Sequence, residues 1–260
     1  REVFTQYKMH IEEANDSPLV SSTADSSSSS SYNNHVVDAA VLEKKTKCIL
    51  LGSAAQGKTT LCKSFVHEMA TNSLEYYGHG SFRIPVLITL RDLCNTLNHL
   101  ASYTNEEFGV LKCYFDNCTI DDYVLKKHGN LILNLLSSQP SSLHFVLDGW
   151  DEVPQNWVGT ASNMVIDLCK QKMHDNAWGS DSCSILITSR ESGFPEHCFK
   201  EFSYLFEMFL MLPMSLKQQA VFIHVFNKPQ EKKEQFLKVI ETSAALQQFT
   251  STPLLLSILF

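Results

Sequence analysis

The stretch KCILLGSAAQGKTTL, residues 47–61, carries the strongest indication of fold class in this chain. Its apolar run ends in Gly52, and Gly57, Lys58 and Thr59 follow after four residues, which fits the spacing GxxxxGK[ST]. Glycines let a backbone wrap around a phosphate because they accept conformations that side chains exclude, and successive N–H groups of such a loop point inward. The segment therefore predicts a phosphate-binding loop between a strand and a helix.

This loop and the helix after it predict contacts to a nucleotide. A helix that begins near Lys58 adds the positive end of its dipole, the Lys58 ammonium reaches the β- and γ-phosphates, and the Thr59 hydroxyl binds Mg²⁺. The predicted nucleotide-binding residues of the loop are Gly52, Ser53, Ala54, Ala55, Gln56, Gly57, Lys58, Thr59 and Thr60.

A second segment, LDGWDEVP at residues 147–154, follows the apolar run LHFV and holds three carboxylates. Such a cluster needs a cation, and Mg²⁺ prefers oxygen ligands that include one or two carboxylates. We therefore expect Asp148 to bind Mg²⁺ together with Thr59. Asp151 and Glu152 lie further on, where they could orient a water for attack on the γ-phosphate. Alternatively, these two residues belong to an exposed acidic loop or to the first turn of a helix.

Short apolar runs alternate with helical patterns along the rest of the chain. The predicted strands are residues 47–52, 84–90, 143–147, 184–189 and 204–212. Strands that alternate with helices predict an α/β fold with a mainly parallel five-stranded sheet covered by helices on both faces, a three-layer sandwich. Ligands bind such sheets beyond the carboxyl ends of the strands, where the phosphate loop and Asp148 would meet.

Helix signals complete this outline. Residues 92–140 are mostly helical in pattern, and one helix could open at Thr119 and close at Gly129. Ser215 and Gln218 have the spacing of a capping box, which predicts a helix through about Phe226.

These patterns divide the chain into four parts. Residues 1–20 are a flanking segment, and residues 21–35 include a serine tract that cannot bury apolar surface and is predicted to be a disordered linker. Residues 36–212 form the nucleotide-binding domain, and residues 213–260 begin a helical domain. Because the chain stops inside the apolar run PLLLSILF, we expect it to be a fragment of a longer protein.

Composition limits the partners. The net charge of −7 argues against coating nucleic acid or an anionic membrane through bulk charge. No apolar run approaches the roughly 20 residues of a membrane span. The eight cysteines are scattered and contain no CxxC pair, so we expect reduced thiols and a cytoplasmic location.

Taken together, residues 45–260 resemble the NACHT domain of the STAND class of signalling P-loop NTPases. The matching segments are GSAAQGKTTL, LDGWDEV, IPVLITLRDL, ILITSR and Thr252-Pro253-Leu254. The resemblance implies that Arg190 senses the γ-phosphate and acts with Asp151 and Glu152 in catalysis, and that Pro253 packs on adenine. Arg91 follows the second strand and is expected to be structural. Many members of that family have glycine at the position of Ala55, and alanine fits there if its φ stays negative.

The resemblance also implies a function. It indicates an ATP/ADP-binding signalling switch with slow Mg²⁺-dependent hydrolysis, whose nucleotide state controls oligomerisation of a larger receptor-like protein. The implied partners are further copies of the chain and other signalling domains of the same polypeptide, in pathways such as innate immunity.

Two other functions remain open. One is a nucleotide-binding scaffold without turnover. The other is an ordinary NTPase or nucleotide kinase, although residues 227–230 (NKPQ) lack the aspartate of a guanine-binding motif and the chain has only four arginines. His144 enters a buried strand and is predicted to be a core histidine with its hydrogen bonds satisfied.

Overall fold

The computed structural model of the chain describes residues 46–75, 83–99, 108–118, 123–169, 182–194, 202 and 204–260. The flanking segment and the linker predicted for residues 1–35 therefore lie outside the described residues. Five strands form one sheet, in the order β2-β3-β4-β1-β5, and all four pairings are parallel. The strands are β1 (Lys47–Leu51), β2 (Ile84–Thr89), β3 (Leu143–Asp148), β4 (Ser184–Ser189) and β5 (Glu207–Leu210).

Helices connect the strands and continue beyond the last one. They are α1 (Lys58–Glu75), α2 (Leu90–Asn98), α3 (Gly109–Asn117), α4 (Tyr123–Ser138), α5 (Val158–Cys169), α6 (Leu216–Val225), α7 (Gln230–Thr242), α8 (Ala244–Thr250) and α9 (Pro253–Leu259). Short 3₁₀ turns cover Trp150–Glu152 and Glu191–Gly193. Within the described part of the chain, none of the helices combines the length and the apolarity needed to cross a bilayer.

Alternate residues of the strands face two different helical layers. Cys48 and Leu50 of β1 pack with Phe65 and its neighbours on α1, whereas Ile49 and Leu51 belong to the larger core on the opposite face. That larger core includes residues of α2 to α5. Every position of β3 and β4 is buried, as expected for central strands of a parallel sheet. The predicted α/β fold of the P-loop NTPase type, with three layers and a parallel five-stranded sheet, is confirmed.

The order of the strands adds a detail that the sequence could not supply. β4 lies between β1 and β3, so the strand that leads into the phosphate loop and the strand that ends in Asp148 are not direct neighbours. The carboxyl ends of all three strands still lie at one edge of the sheet, because the strands are parallel.

The prediction that Gly129 closes a helix is wrong, because this residue lies inside α4. A Cβ atom at this position would come within 2.5 Å of the Phe115 Cβ. The glycine therefore permits α3 and α4 to approach closely, and its role is in packing rather than in helix termination.

The last strand is also shorter than predicted. β5 covers only Glu207–Leu210, because residues 204 and 205 form a turn in front of it and residues 212 to 215 have left the sheet. The Met211 N–H makes a last hydrogen bond to the Leu51 carbonyl of β1 at 2.7 Å.

The helical unit after β5 is held by its own core. The predicted capping box is present, because the Ser215 hydroxyl accepts from the Gln218 backbone N–H and the Gln218 side chain accepts from the Ser215 N–H. Met214, Ile223, Ile240 and Leu256 form a separate buried cluster. Residues of the first and last helices of this unit line a cavity at the carboxyl edge of the sheet.

Candidate functional site

The phosphate loop connects β1 to α1 and begins at the carboxyl edge of the sheet. The Gly52 N–H donates to the Ser189 carbonyl at 3.1 Å, which ties the start of the loop to the end of β4. A Cβ atom on Gly52 would come within 2.6 Å of the Gln56 Oε1. Gly57 has a φ of +90°, and its carbonyl accepts the Leu61 N–H at 2.8 Å in the first turn of α1. Gly57 is therefore required by backbone conformation, whereas a side chain at position 52 would displace the end of Gln56 and press on the Met211 Cβ at 3.0 Å.

The Lys58 side chain turns back over this loop. Its ammonium donates to the Gly52 carbonyl at 2.6 Å and to the Ser53 carbonyl at 2.8 Å. Burial lowers the pKa of Lys58, and the neighbouring Asp151 carboxylate opposes this effect. The loop therefore holds a partly desolvated ammonium at its centre, where an anion gains most from it.

Two loop residues differ from a simple glycine cradle. Ala55 has a φ of +64°, so the expectation that this alanine keeps a negative φ is wrong, and the residue lies in the left-handed region that disfavours a Cβ. The Gln56 Oε1 accepts the Ser53 N–H at 2.6 Å, and the Gln56 side chain is buried. One N–H group of the loop thus already has an oxygen partner within the chain.

Asp148 ends β3 and is almost completely buried. Its Oδ1 accepts from the Thr188 hydroxyl at 2.5 Å and lies 3.8 Å from the Cys62 Sγ. The same Thr188 oxygen accepts the Gly149 N–H at 3.0 Å, so one side chain of β4 contacts both Asp148 and the first residue of the turn after it. Burial beside this carboxylate raises the pKa of the Cys62 thiol, which stays protonated. Sequence analysis missed Thr188, and its only signal was a polar residue inside the apolar run SILITS.

Each of the two acidic residues after Asp148 is held by an arginine. Asp151 accepts the Arg190 backbone N–H at 3.0 Å through Oδ1 and the Arg190 Nε at 2.9 Å through Oδ2. Glu152 accepts the Arg91 Nη2 at 2.8 Å. Arg91, which is expected to be structural, therefore pairs with a carboxylate of the site. In this conformation both Asp151 oxygens contact Arg190, so Asp151 holds the γ-phosphate sensor candidate in place.

These side chains surround one cavity of about 660 Å³ at the carboxyl edge of the sheet. The predicted residues that line it are Ala54, Ala55, Gln56, Gly57, Lys58, Thr59, Thr60, Asp148, Asp151, Glu152, Arg190 and Pro253. Gly52 and Ser53 do not line the cavity, and they contribute the carbonyls that hold Lys58.

The far wall of the cavity is apolar and comes from the helical unit and the segment before it. Its apolar residues are Met211, Met214, Phe222, Pro253 and Leu254. The Pro253 Cγ would lie 3.9 Å from a Cβ atom on Gly57, so this proline stands directly over the phosphate loop. Of these residues, sequence analysis found only Pro253, because an apolar side chain at helical spacing cannot be told from ordinary core.

The residues present fit a magnesium nucleotide. The cavity volume falls in the range of small-molecule sites, with charged groups at one end and an apolar wall at the other. Among the described residues, no cluster of three or more His, Cys, Asp or Glu could hold a metal on its own. A Mg²⁺ ion at Asp148 and Thr59 would therefore need phosphate or water oxygens as further ligands, as Mg²⁺ commonly does.

His144 differs from its prediction. It is buried in β3 beside the Phe65 ring, with a centroid distance of 5.1 Å, but neither ring nitrogen has a hydrogen-bond partner. Burial, with a smaller contribution from Arg83, lowers its pKa to about 3. The expectation of a satisfied core histidine is therefore wrong, and the hydroxyl of Ser184, the residue paired with His144 on β4, is likewise buried without a hydrogen-bond partner.

Comparisons with known proteins bear on this site. The sequence profile described as "Nephrocystin 3, N-terminal" matches residues 31–190 of the chain. The chain is similar to a structure titled "Structure of Drosophila ORC bound to DNA", with 12% identity and a TM-score of 0.46 over 98% of this chain and 66% of that one. It is also similar to "Structure of C. elegans PCH-2", with 14% identity and a TM-score of 0.37 over 72% and 41% of the two chains.

Both structural similarities are too low to carry a functional argument, and the chain spans less than two thirds of the length of either protein. No curated protein sequence matches this chain significantly. The family profile, in contrast, covers the phosphate loop, Asp148, Asp151, Glu152 and Arg190.

Proposed function

Because this chain belongs to the nephrocystin 3 N-terminal family, we propose that it is an ATP/ADP-binding switch of the NACHT type. In this proposal Mg²⁺-dependent hydrolysis is slow, and the bound nucleotide controls self-association of a larger receptor-like protein. Nucleotide binding itself is supported by the phosphate loop and by the P-loop NTPase fold. Switching and self-association require, in addition, that the nucleotide contacts two parts of the chain.

The proposal rests on the observation that two different parts of the chain line the cavity. Its charged end comes from the loop, Asp148 and Arg190, whereas its apolar end comes from Met214, Phe222 and Pro253 of the helical unit. A nucleotide that fills this cavity touches both parts of the chain. The difference between ATP and ADP can then change how the two parts are arranged, by as much as their affinities for the two arrangements differ.

The paired carboxylates support slow hydrolysis. Mg²⁺, when bound, neutralises charge on the phosphate oxygens, and Thr59 with Asp148 would hold it. Lys58 provides the positive charge at the loop. Asp151 is paired with Arg190, and the Glu152 Oε1 is paired with Arg91, so an arginine partly neutralises each carboxylate that could attract a water.

The same ion pairs favour a second candidate function, a nucleotide-binding scaffold without turnover. If the Arg91–Glu152 pair persists when ATP is bound, the nucleotide is held but not cleaved. The scaffold would bind ATP and ADP through the same residues, so the two candidates differ only in phosphate release and in the response of assembly to the third phosphate.

Nucleotide binding is tested by releasing and chromatographing the nucleotide from the purified chain. Lys58→Ala should remove retained ATP and ADP, because the loop loses the only ammonium that it holds among the described residues. Lys63→Ala is the matched control, since Lys63 is an exposed lysine on the same helix. Equal nucleotide content in wild type and Lys58→Ala would refute the assignment of the site.

Switching is tested by phosphate release and light scattering on the wild type and on Glu152→Gln. We expect slow release from the wild type, less from the variant, and more oligomer in the variant with ATP and Mg²⁺ than with ADP. Fast steady-state turnover would exclude a switch. ATP binding with no phosphate release and no change in mass would instead favour the scaffold.

A further inference from the structure

We propose that Gln219 and Thr250 are positioning residues that hold the apolar wall of the nucleotide cavity and thereby set affinity for the nucleoside part of the ligand. This inference rests on the proposed function, because it assumes that the apolar wall contacts a nucleotide. Neither residue lines the cavity, so both would act through the residues that do.

Gln219 and Thr250 form a buried polar centre inside the otherwise apolar helical unit. Gln219 on α6 is 2% exposed and Thr250 at the end of α8 is 0% exposed. The Gln219 Nε2 donates to the Met214 carbonyl at 3.1 Å and points toward the Gln247 carbonyl at 3.4 Å. The Thr250 hydroxyl lies 2.7 Å from the Gln219 Oε1.

The groups around the Gln219 amide fix its orientation. Carbonyl oxygens can only accept, so the amide NH₂ of Gln219 must face Met214 and Gln247. The Gln219 Oε1 then faces the Thr250 hydroxyl, whose single proton lies between this oxygen and the Leu246 carbonyl, each 2.7 Å away. Within this network, Thr250 is the side chain that can donate to the Gln219 Oε1. A buried polar network in which every member has a partner rigidifies its surroundings, whereas a partly satisfied one is costly.

This network ties together the two segments that bear the apolar wall. Met214 is bonded to Gln219 through its carbonyl, and its N–H donates to the Ser251 carbonyl at 2.8 Å. Ser251 follows Thr250 directly, and Pro253 comes two residues later at the first position of α9. Phe222, another wall residue, lies one turn after Gln219 on α6. Movement at Gln219 would therefore displace Met214, Phe222 and Pro253 together.

The alternative is that this network only stabilises the helical unit. The two readings differ in which ligands they affect, because the wall faces the nucleoside end of the cavity while the loop holds the phosphates. Loss of the network should lower the affinity for ATP and ADP but leave the affinity for inorganic tripolyphosphate unchanged, because tripolyphosphate carries no nucleoside. A purely structural role would affect both kinds of ligand alike, or neither.

The test measures binding of ATP, ADP and tripolyphosphate, each with Mg²⁺, to the 260-residue chain by calorimetry. Thr250→Val keeps the shape of the side chain and removes the donor, which leaves the Gln219 Oε1 unpaired. We expect affinity for ATP and ADP to fall roughly tenfold while tripolyphosphate changes less than about twofold. Thr250→Ser keeps the hydroxyl and should bind like the wild type. Thr242→Val is the control for the chemical change, because Thr242 is exposed on α7.

The outcomes separate this inference from the proposed function. A wild-type chain that binds neither ATP nor ADP refutes the proposed function itself. If the wild type binds both and Thr250→Val also binds them equally well, only the positioning role is wrong. An equal loss of affinity for ATP and for tripolyphosphate in Thr250→Val would also overturn the positioning role, including a loss that arises because the variant does not fold. A loss of affinity in Thr250→Ser as large as that in Thr250→Val would overturn it too.

Discussion

Gly193 and Gly159 offer a direct test of the packing around the candidate site, because the structure predicts opposite effects for the same substitution. Gly193 ends the 3₁₀ turn after Arg190 and lies against Asp151. A Cβ atom there would be 2.2 Å from the Asp151 Cβ and 3.0 Å from the Asp151 Cα. Carbon atoms in contact prefer roughly 3.5–4.0 Å, so the two turns must separate by more than an ångström.

The magnitude follows from this clash. Overpacking of this kind costs typically about 1–3 kcal/mol, and backbone rather than a flexible side chain has to move. The displaced Asp151 also loses its two contacts to Arg190, although this adds little because the Arg190 side chain is 51% exposed. We therefore expect Gly193→Ala to lower the free energy of unfolding by about 1–3 kcal/mol.

Gly159→Ala is the matched control. Gly159 lies in the first turn of α5, and nothing is within 4 Å of the Cβ that alanine would add. Alanine in a helix avoids the entropy cost of glycine, so this variant should gain roughly 0.5 kcal/mol. Urea unfolding, monitored by circular dichroism, would measure the change in the free energy of unfolding of both variants. Their thermal midpoints should move by about 2–4 °C per kcal/mol. Gly193→Ala as stable as the wild type would refute the packing described around Asp151.

Three further predictions follow from individual side chains. Ala55→Gly should raise the free energy of unfolding by about 0.5–1 kcal/mol in urea, because it relieves a positive φ; a loss of stability would contradict this. His144 has a folded-state pKa of about 3, so as pH falls below 6.5 the unfolded chain takes up a proton that the folded chain excludes. The free energy of unfolding of the wild type should therefore fall by about 2 kcal/mol more between pH 7 and pH 5 than that of His144→Leu. Parallel pH profiles of this free energy for the two proteins would contradict the prediction. Arg91→Ala should change stability by less than about 1 kcal/mol and raise phosphate release from ATP, because Glu152 is freed; slower release would disprove the inhibitory pairing.

The sequence predicts the parts of this fold that depend on local pattern. Continuous apolar runs identified the buried strands β3 and β4, because strands covered on both faces have no polar side. The glycine and lysine spacing identified the phosphate loop, because its backbone conformation requires those residue types. The capping box at Ser215 was equally local, since both of its partners lie within one turn.

The parts that were missed depend on tertiary contacts. Gly129 has the sequence signature of a helix end, and only the nearby Phe115 shows that it serves packing. Thr188 matters because it donates to Asp148 on the adjacent strand, and the order of strands along the chain does not reveal which strands pair. Met214 and Phe222 look like core residues in the sequence, because the same apolar side chains line a ligand cavity and fill a hydrophobic core.

The strand order also has a consequence for the order in which this chain can fold during synthesis. β1 carries the phosphate loop, yet among the described strands it pairs with β4 and β5, which are translated after all the others. β2 and β3 can pair with each other while β1 still lacks a neighbour. Such non-local pairing is slow and leaves an apolar strand exposed in the nascent chain. A ribosome-bound chain that ends before Ser184 should therefore be unable to retain nucleotide, although it already contains the whole phosphate-binding motif.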